Sequence, residues 1–214
     1  MKPFSRYLTA LCIAIPCVSA TSLFAQHNKY SRTVGSKDRG KVIIDRRDTV
    51  NGYVVEMILS DRNNVFTIDK KFRTTKWEHS NSSENSQYTI TLQDGIYHIK
   101  GMLKGNKIEK AVKSNGSQWI QNVTSEAARL LNCTAGTIKY ECFRPDDVSL
   151  HTMQAIGKGE CEIDGKKVFH VKVCPTGALA KIWNFSIYFD PKTKNLARYE
   201  AVEGMPGTPK TVWQ

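Results

Sequence analysis

Between residues 183 and 189 apolar side chains take every second place: Trp183, Phe185, Ile187 and Phe189 alternate with Asn184, Ser186 and Tyr188. A period of two sends one set to one face, the pattern of a half-buried strand. Asp190-Pro191-Lys192 then supplies a turn, because Pro presets φ and Asp bonds the backbone beyond it. Residues 196–201 return as a second strand.

The same pattern predicts a meander from residue 41 to 112. Asn51-Gly52 predicts a hairpin between 43–50 and 53–59, since both central positions of a type I′ turn need φ > 0. A turn at 61–64 leads into a strand at 65–68, and 80–87 reads as a polar loop. Asp94-Gly95 as a two-residue turn pairs Leu92 with Tyr97 and Ile90 with Ile99. Gly105-Asn106 pairs Leu103 with Ile108 and Ile99 with Val112. Both registers keep Ile99 on the apolar face, as a sheet demands, because a one-residue slip exposes the whole set.

Trp119 lies in a short strand or a loop. Thr124 is placed to cap a helix over 126–131, with Glu126 near its positive end and Gly136 to stop it. Residues 146–156 read as a turn after Pro145 and then a strand. A hairpin over 157–173 turns at Asp164-Gly165-Lys166, with a three-residue loop that sets Cys161 opposite Phe169. Thr211-Val212-Trp213 closes the chain as an edge strand. The fold class is therefore mainly β (α+β): a curved antiparallel sheet or half-barrel of hairpins with one or two short helices on one face.

Composition sets this sheet outside the cytosol. Lys2 and Arg6 precede an apolar run over 7–18, and small residues end it, so residues 1–25 read as a secretory signal cleaved near Ala25. Lipidation at Cys17 is disfavoured by Pro16 ahead of it. Residues 26–40 are polar and basic and read as a flexible arm, leaving 41–214 as one domain. The formal charge of +11 becomes +9 once Lys2 and Arg6 leave. The basic residues are spread along the chain, which suits solvated strand faces and gives no nucleic-acid footprint. Four cysteines remain, Cys133, Cys142, Cys161 and Cys174, and an even count in an exported chain predicts two disulfides. Opposite parity disfavours joining Cys161 to Cys174, so Cys133 and Cys142 are expected to pair with the two later ones. Their wide intervals do not suit zinc.

No nucleophile elbow, zinc-protease helix or Gly-rich phosphate loop is present. His98, His151 and His170 fall in strands and read as structural. Asp146-Asp147 reads as a turn or helix start. No catalytic residue, metal or cofactor is expected, and the four tryptophans read as core.

The run GKGECEIDGKKVFHVKV and the hairpin IYFDPKTKNLARYEA resemble the C-terminal strands of periplasmic lipoprotein-carrier proteins of the LolA/LolB type. That resemblance implies an incomplete barrel, lidded by helices, whose cavity takes acyl chains. The four cysteines and the non-helical start depart from the family pattern. The leading expectation is a non-enzymatic periplasmic or envelope protein. It would present Tyr97, Ile99, Trp183, Phe185, Ile187 and Phe189 to a lipid-like or apolar ligand. The alternative is an envelope interaction module with a filled core and a protein partner.

Overall fold

The computed structural model describes residues 25–177, 180, 183–202 and 208–214. Except for Ala25, the expected signal lies outside these residues. Eight strands come first: β1 (Ala25–Val34), β2 (Lys37–Thr49), β3 (Gly52–Ile58), β4 (Arg62–Asp69), β5 (Thr74–Asn81), β6 (Ser86–Gln93), β7 (Ile96–Leu103) and β8 (Asn106–Lys113). Helix α1 (Val123–Leu130) follows. Six more strands complete the chain: β9 (Gly136–Phe143), β10 (Leu150–Ile163), β11 (Lys166–Pro175), β12 (Phe185–Phe189), β13 (Leu196–Val202) and β14 (Lys210–Trp213).

All fourteen strands join one sheet, in the order β8-β7-β6-β5-β4-β3-β2-β1-β14-β13-β12-β11-β10-β9. Two antiparallel meanders thus meet where the first strand pairs with the last, Arg32 opposite Trp213. The sheet curls without closing. Its edges are β8 and β9, and the chain between them carries α1. Trp119 forms an isolated parallel bridge to Glu141 on β9, so that edge is partly covered.

The hairpins obey turn chemistry more closely than the sequence pattern alone suggests. Asp94-Gly95, Lys104-Gly105 and Asp164-Gly165 each have φ near +50° followed by φ near +75°, the conformation that places Gly second in a type I′ turn. The Asp94-Gly95 register is as expected, with Leu92 opposite Tyr97 and Ile90 opposite Ile99. The next turn is Lys104-Gly105, so Ile108 faces Gly101 and Val112 faces Tyr97. The face is kept and the partners shift.

Around Asp164 the expected three-residue loop is corrected to two, with Glu160 opposite Phe169 and Cys161 opposite Val168. A bulge between Gly157 and Gly159 makes this possible, because one extra residue turns the strand over and returns Gly157 to the core side. Gly52 is also reassigned. The turn is Val50-Asn51, and Gly52 faces Asp69 on β4. A Cβ there would lie 2.0 Å from the Ile68 carbonyl oxygen, so close backbone approach demands the glycine.

The expected flexible arm over 26–40 is strand β1 and the start of β2. Its polar sequence hid this because only Tyr30 is buried among its side chains; the strand is held by ladder bonds to neighbours on both sides. Likewise β14 is internal, between β13 and β1, and not an edge strand. The polar loop shrinks to 82–85. Trp77 on β5, unread as a strand, is 1% exposed and stacks on Phe66 and edge-on to Tyr88. Helix α1 is capped by position at Asn122 without a side-chain bond to its backbone. The Thr124 hydroxyl donates instead to Asn122 Oδ1 at 2.6 Å. The helix ends before Asn132 and Cys133, both at positive φ, and Gly136 opens β9.

The candidate site at the helix-covered end

In an antiparallel ladder, directly opposed residues share a face. Val42, Ile44 and Arg46 follow one another on the core face of β2. They are matched by Tyr30, Asn28 and Gln26 on β1 and, across the other side, Arg46 by Val55. The inward row therefore changes from apolar to polar toward one end of the sheet. There α1 lies over it, burying Val123, Ala127, Ala128 and also Glu126, which is 1% exposed.

Glu126 accepts the Tyr53 hydroxyl through Oε2, while its Oε1 is buried with no partner. The Arg46 guanidinium lies 3.6 Å over the Tyr53 ring and reaches Asp48 through Nε at 3.6 Å. Its Nη1 is buried and unpaired. Arg129 donates Nη1 to the Ser125 carbonyl at 2.7 Å and the Lys194 carbonyl at 3.3 Å. Burial pushes the Glu126 carboxyl up from its ordinary range, against the lowering effect of the Tyr53 bond and of Arg129 and Arg46. Burial, then the Glu126 charge, also raises the Tyr53 phenol. Arg129 is held below its usual value by burial and then by the like charge of Arg46, against the opposing pull of Glu126.

Beside this group a half-open cleft holds about 320 Å³ of empty space, its solvent-filled mouth included. Gln26, Asn28, Ser125 and Asn195 line it with Arg46 and Arg129, over a floor of Ile44, Val55 and Leu196. It is narrow: the centre of a water molecule has only about 20 Å³ to move in.

The residues expected to meet an apolar ligand are elsewhere. Tyr97, Ile99, Ile187 and Phe189 are core, at 0–1% exposure. Phe185 is half-buried against Tyr199, and Trp183 is 44% exposed, ahead of β12. The concave face is filled along these strands. Sequence reasoning saw Glu126 and Arg129 only as helix residues and did not single out Arg46. The available signal was an arginine continuing the Val42, Ile44 row.

Among the described residues Cys133, Cys142, Cys161 and Cys174 are free thiols. Cys142 faces His151 and Cys174 faces Gln154, on opposite flanks of β10, so two strand spacings across and three residues along put them about 14 Å apart. Cys161, opposite Val168, lies seven positions from Gln154 along β10, on the order of 23 Å. Disulfides need Cα atoms within about 7 Å. Both expected connectivities use Cys142 with Cys161 or Cys174, so the register corrects them. Cys161 and Cys174 share a face after all, because the loop has two residues, but distance separates them.

Other polar groups brace the fold. Glu141, fully buried, accepts from the Tyr97 hydroxyl at 2.7 Å, the Ser114 hydroxyl at 2.6 Å and the Asn115 amide at 2.7 Å. Those bonds tie β9 to β7 and to the chain after β8. Buried His79 shares Asn64 Oδ1 with the Trp77 indole, and burial pushes its pKa down to about 4. Asp147, Ser149 and His151 cluster in the open, but the serine sits between the acid and the imidazole, so the acid does not orient the base as a relay needs. Asp146 and Asp147 pair with Arg144 at 3.5 and 3.8 Å. Among the described residues no group of three His, Cys, Asp or Glu is arranged to hold a metal.

Outside, the free β8 edge is basic. Residues 100–113 carry Lys100, Lys104, Lys107, Lys110 and Lys113 against Glu109 alone. A groove of about 530 Å³ runs over Gly101, between Gln87, Thr89, Lys100, Met102 and Lys107. Gly101 has no alternative there: a Cβ would sit 2.3 Å from the Gln87 carbonyl oxygen.

The described residues form a mostly antiparallel, barrel-like sheet with one short helix and an unclosed seam. Among solved structures it is similar to the crystal structure of a beta-barrel-like protein of a domain of unknown function, DUF1849, from Brucella abortus. The TM-score is 0.58 at 8% identity, over 90% of this chain and 95% of that one. At that identity the likeness shows the fold alone. No protein-family model and no curated protein matches the chain.

Proposed function

We propose that the protein is exported to the cell envelope and acts there without catalysis, as an interaction module. The observation that carries this reading is the filled interior: Tyr97, Ile99, Ile187 and Phe189, on both meanders, have at most 1% of their surface exposed. An acyl-chain carrier of the LolA/LolB kind needs that volume empty. What the molecule offers outward is the lysine-rich β7–β8 hairpin at the free edge, suited to an anionic envelope partner. Capture of envelope proteins on the immobilised chain tests it. Partners should elute as salt rises from about 0.05 to 0.5 M, and Lys104→Glu with Lys107→Glu should abolish capture. Capture indifferent to both salt and these substitutions would sink the reading.

The second reading is carriage of an apolar ligand, with α1 as a movable lid. It is favoured by how α1 is seated, through small residues and a buried glutamate with one oxygen unpaired, which is a costly contact to keep closed. Mass spectrometry after exposure to native lipid extract separates the two, since only a carrier retains lipid.

A further inference from the structure

We propose that the cleft between α1 and β1–β3 is an oxyanion site, in which Arg46 and Arg129 together take the phosphate group of a small ligand or a lipid headgroup. This goes beyond the interaction-module reading and does not depend on it. Two guanidiniums reach the cleft from different elements, one from β2 and one from α1, although like charges side by side disfavour the empty site. Arg46 Nη1 is buried and unpaired. A buried donor without a partner costs free energy unless something binds it.

Glu126 and Asp48 act on the pair through their charge, but no hydrogen bond joins either acid to a guanidinium. Asp48 meets only Arg46 Nε, at 3.6 Å, and Glu126 Oε2 is taken by the Tyr53 hydroxyl. Gln26, Asn28, Ser125 and Asn195 add amide and hydroxyl donors around the same space. Planar guanidiniums suit tetrahedral and planar oxyanions through paired N–H bonds. With about 20 Å³ for the centre of a water-sized atom, the inner cleft seats one oxygen of such a group, the rest lying at the open mouth, and shuts out an acyl chain.

The test uses the full chain. Sodium phosphate is titrated against sodium chloride at matched ionic strength, with thermal unfolding and calorimetric Kd as readouts. Phosphate should raise Tm saturably where chloride does not. Arg46→Gln and Arg129→Gln should each weaken phosphate at least about tenfold, the loss of one charge-assisted hydrogen bond. Each variant also loses contacts of its own, Arg129 its two carbonyl bonds and Arg46 the Tyr53 ring, so the phosphate-dependent rise in Tm is read against that variant's own phosphate-free baseline. Arg46→Lys, which keeps the charge and loses the fork, should fall between. Co-sedimentation with phosphatidylglycerol vesicles separates the sources. A phosphate response alone marks a free small ligand. Vesicle binding that needs Arg46 and Arg129, without a phosphate response, marks a headgroup. If neither phosphate nor vesicle binding depends on these two arginines, the proposal is overturned.

Discussion

The apolar rows of the sheet and the cleft under α1 are built on the same inward face and differ in what they leave unfinished. Along β11 and β12, Phe169, Val171, Ile187 and Phe189 are buried at 0% exposure, up to the Leu196 row that floors the cleft, and on β9 the buried acid Glu141 has three donors. Under α1, Arg46 and Glu126 each keep a buried polar atom without a partner. A chain selected for stability alone would replace such groups with apolar ones of similar volume, a change that is often neutral or stabilising. Buried atoms without a partner also occur at Asn63 and Thr211, but among the described residues only under α1 do a cation and an acid with such atoms sit together beside a cleft, which marks that end as a part shaped by something other than folding.

The contrast can be broken most forcefully in the apolar rows. Phe189→Ala should cost about 3–5 kcal/mol in denaturant unfolding, because the removed ring leaves a cavity in a packed layer. A loss below about 1 kcal/mol, the scale of an ordinary surface change, would mean these rows are not rigidly packed.

The next effect is a pH slope. His79 is buried neutral, and its pKa falls from 6.5 to about 4 on folding. The folded state then binds fewer protons than the unfolded one. Its contribution is present above pH about 6.5 and disappears as pH falls toward about 4, at most about 3 kcal/mol. His79→Gln should flatten that limb of a stability profile. An unchanged slope would place the titration elsewhere.

The smallest effect sharpens the other side. The Glu126 carboxyl is raised, so the folded state holds its proton longer than the unfolded state. Stability linked to it is present below the ordinary carboxylate pKa and falls as pH climbs through the folded value. Glu126→Gln keeps the acceptor for Tyr53 and removes the proton. It should leave stability within about 1 kcal/mol and erase the decline on the alkaline side of that range. A large uniform loss at every pH would show Glu126 to be an ordinary structural brace.

Period-two alternation and turn residues made most of the strands legible. The Asp94-Gly95 hairpin could be read to the residue because two adjacent positions with φ > 0 leave little choice of register. The β1 strand could not, since its side chains are mostly polar and its partners stand far off in sequence. The bulge at Gly157–Gly159 was equally hidden; it lets the strand reach a two-residue loop, and the loop length, read as three, is what the cysteine parity argument rested on.

The candidate site shows the same division. Glu126 was legible as a helix-start residue and Arg129 only as a member of the same helix. That Arg46 continues an inward row could also be seen. That these residues meet around one cleft could not. Local sequence sets which face a side chain takes, because a strand repeats every two residues. Which distant residue shares that face is set by how the sheet curls and where α1 settles, here bringing β14 beside β1 and Arg129 beside Arg46. Those choices belong to long-range packing, whose free energy exists only once the whole chain is in place.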